Sequence, residues 1–131
     1  MKEFGFLYDS SIVAPFSNPP LWPYTLDYKM PHKCQPDQNC PTRSYPGIWE
    51  IVLNQFSAGG YTCTMINNCP ANMSGDEVYN TLHRNLQRHY TTNRAPLGLF
   101  FHSSWFKRPD YMEAFKVIYI FFFVNNKFLI C

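Results

Sequence analysis

The sequence predicts an α/β fold, and three observations carry that prediction. A capped amphipathic helix begins at Ser74. Short runs rich in aromatic and β-branched residues flank it at residues 47–53 and 97–101. Clusters of Gly, Pro, Asn and Ser punctuate the chain between these runs. Strand, loop, helix, strand is the order that builds parallel sheets, because a crossover through a helix returns the chain to the same sheet edge to edge.

Taken in order, residues 4–8 (FGFLY) read as a short buried strand stopped by the turn formers Asp9, Ser10 and Ser11. Pro15, Pro19, Pro20 and Pro23 then exclude regular structure and predict an ordered loop. Residues 24–30 are predicted to return as a strand. GIWEIVL at 47–53 is the next strand, with Trp49 expected in the core. Gly59 and Gly60 belong to a further loop. Ser74 and Glu77 make a capping box, and Val78, Leu82, Leu86 and Tyr90 recur at helical spacing as one apolar stripe. His83 and His89 lie off that stripe and are expected at the surface. Residues 91–96 end the helix, and 97–101 form the strand that follows it. Residues 117–124 are apolar, far short of the roughly 20 residues a bilayer-spanning helix needs. They read either as a last strand or, with the Lys, Ile, Phe, Tyr and Asn bias of residues 117–131, as translated non-coding sequence. The second reading divides the chain into a domain at 1–116 and an atypical tail at 117–131.

The chain has 131 residues, 46% hydrophobic and 18% aromatic, enough for one domain with a core. A net charge of +2 with no basic block gives no electrostatic case for nucleic acid. Cysteines stand at 34, 40, 63, 69 and 131. The first four form two pairs, each with five residues between, a spacing that fits zinc poorly. Two short disulfide loops, Cys34–Cys40 and Cys63–Cys69, fit better and imply an oxidising compartment. Asn72-Met73-Ser74 is an N-glycosylation sequon, so Asn72 is the expected glycan site of a secreted protein. The first residues, MKEFG, have no apolar signal-peptide core, and the chain is therefore expected to be a segment of a longer secreted protein.

LGLFFHSSW at 97–105 places His102 at the C-terminal end of a predicted strand. In parallel α/β folds that edge is where sites are built, and histidine is the side chain whose proton is most easily exchanged near neutral pH. Position alone favours the plainer reading, a satisfied histidine at a strand end, without settling the matter.

The stretches GFLYDSS (5–11), WPYTLDYKMPHKC (22–34), CPTRSYPGIWE (40–50) and RHYTTNRAPLGLFFHSSWF (88–106), with the paired cysteines, carry a specific resemblance. From residue 4 to about 116 the chain resembles the C-terminal part of the catalytic domain of insect-type chitin deacetylases. These belong to the polysaccharide deacetylase (NodB-homology, carbohydrate esterase 4) family. The resemblance implies a deformed (β/α) barrel, of which this chain is the C-terminal half, that hydrolyses the N-acetyl groups of chitin or N-acetylglucosamine oligomers. It also implies a divalent metal, usually zinc, that activates carbonyl and water. The family's last motif, Leu-x-x-His, is matched by Leu99 and His102. By the resemblance His102 is the general acid that protonates the departing amine, and Leu99 walls the pocket for the acetyl methyl. Asp9 and Trp22 fall near the fourth motif. Asp9 reads evenly as an orienting carboxylate or a turn cap. Trp22 and Trp105 read evenly as the aromatic side of a sugar groove or as core.

The sequence also departs from the family. The Asp-Asp motif with the base and a metal ligand, the His-x-x-x-His pair, and the arginine-bearing third motif are absent from these residues. The chain by itself is expected to lack metal ligands and activity. Three functions remain open: part of a secreted deacetylase, a non-catalytic chitin-binding or matrix-organising relative, and a truncated product.

Overall fold

The structure, a computed structural model, describes residues 5–70 and 72–124, with side chains as far as residue 121. It is a mixed α/β arrangement stapled by two disulfides. Strands β1 (Tyr8–Asp9), β2 (Tyr24–Thr25) and β3 (Trp49–Glu50) form a small sheet in the order β1-β3-β2. β1 runs parallel to β3, with Tyr8 opposite Trp49 and Asp9 opposite Glu50, while β2 is antiparallel. Pairing continues past β1 and β3 as far as a parallel bridge between Val13 and Leu53. Four positions separate Asp9 from Val13 but only three separate Glu50 from Leu53, so the first strand carries one extra residue. The Glu50 side chain fills that bulge, its Oε1 accepting the Ile12 N–H at 3.0 Å.

Strands β4 (Phe56–Ala58) and β5 (Tyr61–Cys63) form a hairpin. Gly59 and Gly60 both have positive φ (57° and 89°), the backbone that a tight two-residue hairpin turn requires and that glycine adopts without strain. Helix α1 (Gly75–Thr91) starts where the sequence predicts. Ser74 caps it, with Glu77 reaching back at 2.7 Å to the Ser74 N–H. Its end is closed by Arg94, at φ 59°, whose N–H returns to the His89 carbonyl at 2.9 Å.

A second helix, α2 (Pro109–Val124), follows a 3₁₀ turn at Ser103–Lys107. Pro109 suits a first helical position, and Asp110 suits the positive end of the helix dipole. The two helices lie parallel, start beside start. Gly75 abuts Asp110 so closely that a β-carbon on it would stand 3.1 Å from the Asp110 Cβ. Further along, the His83 ring meets Phe121 edge-on at 6.2 Å. The core forms between this pair, the hairpin and the second disulfide loop, around Phe56, Ile66, Val78, Leu82, Trp105 and Ile118.

Several expectations are corrected. Residues 97–101 form no ladder and run as irregular chain, and 24–30 pair only at Tyr24–Thr25. The strand reading of 117–124 gives way to α2, which continues through residue 116 without a break. Trp49 is half exposed, on the same open side of the sheet as its ladder partner Tyr8, which is exposed as well. His89 is buried, at 1% exposure, because the loop after α1 folds back over it. Cys131 lies outside the described residues.

Candidate functional site

The segment from 97 to 108 is held by aromatic packing in place of a sheet. Phe101 packs against Trp105 in a tilted arrangement, 4.6 Å between centroids, and lies near Phe106 and Phe115 at 5.1 and 5.3 Å. His102 sits between these anchors as the cap of the 3₁₀ turn, and its carbonyl accepts the Trp105 N–H at 2.9 Å. Its own N–H donates to Asn67 Oδ1 at 2.9 Å. The imidazole is exposed while both neighbouring peptide groups are fixed. Leu99, three residues earlier, is 39% exposed, a large apolar side chain on the same stretch.

Trp22 is 53% exposed, and its indole N–H donates to the Asn93 carbonyl at 3.2 Å. The loop that carries it is tied down by two asparagines. Asn54 accepts the Leu21 N–H at 2.9 Å and donates to the Leu21 carbonyl at 2.8 Å, and Asn93 donates to the Pro20 carbonyl at 2.7 Å. Trp22 is thus linked to the loop that leads from α1 toward His102. Trp105, at 6% exposure, occupies the core alternative. Asp9 ends β1 and accepts the Ser11 hydroxyl at 2.9 Å, within a cavity of about 330 Å³ that Ile12 and Gln38 also line. Among the described residues no hydrogen bond joins Asp9, Trp22 or Trp105 to the His102 ring. Asn72 is exposed, just ahead of the Ser74 cap.

Three polar features had no counterpart in the sequence reading. Glu50 is fully buried beside Asp9, and its Oε2 has no partner. Burial, with the Asp9 charge adding to it, raises its pKa above the ordinary carboxylate value. Burial and the Glu50 charge also push the Tyr24 phenol upward. That phenol keeps its proton and lies 2.9 Å from His32 Nε2, beside an open cleft of about 930 Å³ that includes Tyr28, Lys29, His32 and Arg43. The third is Asn67. Only its place inside a disulfide loop hinted at rigidity, and nothing in the sequence joined that loop to His102.

No protein-family model matches the chain. Two curated relatives do. Chitin deacetylase 1 of Bombyx mori is 48% identical over 125 residues, covering 88% of this chain and 23% of that protein. Along most of its length the chain is similar to chitin deacetylases. Chitin deacetylase 8 of Bombyx mori is 34% identical over 122 residues, again 88% of this chain, and 32% of its own length is matched. The chain therefore spans about a quarter to a third of the length of its curated relatives. Both predicted disulfides are formed in it, Cys34–Cys40 and Cys63–Cys69. No helix among the described residues is long and apolar enough to cross a membrane.

Proposed function

We propose that the chain is part of a secreted chitin deacetylase, with His102 as the general acid of amide hydrolysis. The likeness to two chitin deacetylases across 88% of the chain carries this reading. The parallel β1–β3 pair and the parallel helices support a place in a (β/α) barrel. Substrate is chitin or an N-acetylglucosamine oligomer. An amine is a poor leaving group until protonated, so the C–N bond breaks as the His102 imidazolium delivers its proton to the amine nitrogen. Exposure of the ring lets it reach a polymeric substrate. Leu99 offers apolar contact to the acetyl methyl. Trp22 offers a fixed, half-exposed ring for a sugar face, and Asp9 an orienting carboxylate. The disulfides and the exposed Asn72 sequon suit an extracellular setting.

The reading includes a divalent metal, which supplies Lewis-acid activation when bound. Among the described residues no three His, Cys, Asp or Glu side chains gather to hold one. The donors present do not fit a metal site, and no step is drawn through it from this chain. The chain by itself is expected to release no acetate.

The test is to read the transcript through both ends of this segment, then assay the full-length protein on chitin oligomers with and without chelator. Acetate release that chelator stops and His102→Ala abolishes supports the proposal. Tight chitin binding with no acetate release would instead identify a non-catalytic chitin-binding relative.

A further inference from the structure

We propose that the Cys63–Cys69 loop is a positioning device for His102, acting through Asn67; the inference rests on His102 being the general acid. His102 lies on a stretch without ladder partners, so nothing regular orients its peptide plane. Its N–H is taken by the Asn67 carboxamide oxygen at 2.9 Å, across 35 residues of sequence. Asn67 is itself immobilised from three sides. It sits in the 3₁₀ turn Ile66–Asn68, closed by the Met65 and Ile66 carbonyls, which accept the Asn68 and Cys69 N–H groups at 2.9 and 3.2 Å. Ile66, at 2% exposure, plugs the turn into the core. The disulfide joins the two ends of the loop.

The arrangement fixes a backbone and leaves a ring free. An exposed histidine on an irregular segment samples several orientations unless its Cα–Cβ vector is set, and proton transfer to a bound amine demands that vector within a narrow range. Asn67 is a positioning residue that touches no substrate. The loop around it is the reason its single hydrogen bond is rigid.

The experiment compares Asn67→Ala, Asn67→Asp and His102→Ala in the full-length protein. The readouts are kcat and KM across pH and hydrogen exchange of the His102 amide. Asn67→Ala is expected to lower kcat by about 10- to 100-fold with KM little changed, as misplacement of a catalytic group does. The His102 amide is expected to exchange at least about tenfold faster, since opening then needs no hydrogen bond broken. Asn67→Asp keeps the acceptor oxygen and is expected to rescue both. An inactive His102→Ala with a wild-type Asn67→Ala overturns the positioning role alone. An active His102→Ala overturns the general-acid reading and this inference with it. Should Asn67→Ala fail to fold, the Asn67→Asp protein decides by its amide exchange. Protection equal to wild type supports the contact and loss of protection overturns it.

Discussion

At the scale of single residues, the buried histidine is the clearest departure from what a helical wheel suggests. His89 lies off the apolar stripe, yet the loop after α1 covers it and the Ala95 carbonyl sits 2.7 Å from its Nδ1. A carbonyl only accepts, so Nδ1 carries the proton. Burial, with the nearby Arg88 charge, holds the pKa below the ordinary 6.5. The unfolded chain then binds a proton more readily than the folded one. Stability is full above about pH 6.5 and falls as pH drops through the window below it. Glu50 acts in the opposite sense, since its raised pKa makes stability fall as pH rises from the ordinary 4.5. The informative quantity is therefore a difference between proteins. Urea midpoints of wild type and His89→Gln at pH 5.5 and 7.5 are expected to converge at the lower pH. A constant gap would show that His89 does not titrate with folding.

At the scale of elements, α1 was legible because its signals are local: a capping box and four apolar residues on one stripe. The hairpin was not, although Gly59-Gly60 is a strong turn signal, because β4 and β5 are three residues each and alternate weakly. α2 had a helical start in Pro109-Asp110, and Tyr111, Ala114 and Ile118 recur on one face and are buried. Its dense run of Phe and Ile hid that period, since an apolar stretch of that length reads alike as strand or helix. What joins α1 to the hairpin was invisible in sequence. Asn85, 2% exposed, accepts the Ser57 N–H at 2.9 Å and donates to the Ser57 carbonyl at 2.9 Å and the Thr81 carbonyl at 2.8 Å. One side chain stands in for a neighbouring strand. Asn85→Ala removes both part-buried hydrogen bonds to the Ser57 backbone and leaves the Thr81 carbonyl without its side-chain donor, and is expected to cost about 1–3 kcal/mol in chemical denaturation. Asn80→Ala, at an exposed position of the same helix, is expected to change stability by less than about 0.5 kcal/mol.

At the scale of the whole molecule, the two disulfides were read correctly from spacing, whereas the meeting of the second loop with His102 was a matter of tertiary packing. The loops have the same sequence separation of 6, so chain entropy predicts an equal contribution of about 2 kcal/mol from each. Their surroundings differ. Cys63 and Cys69 are buried at 6% and 5% exposure, while Cys34 is exposed. Cys63→Ser with Cys69→Ser adds two hydroxyls to the core and is expected to cost more than Cys34→Ser with Cys40→Ser, by about 1–3 kcal/mol. Equal losses would mean that loop entropy alone sets both. The parallel helix pair has its own consequence. Two helices side by side and pointing the same way bring two partial positive ends together at Gly75 and Pro109, which repel. Asp76, Glu77 and Asp110 supply the counter-charge there, with Glu77 held below its ordinary pKa by Ser74 and Asp110 by Arg108. Depressed carboxylate pKa values stabilise above the ordinary range and stop doing so as acid neutralises them. Acid thus acts on this molecule like a zipper pull at one end, and amide exchange below pH 4 is expected to quicken first at the shared start of the helices.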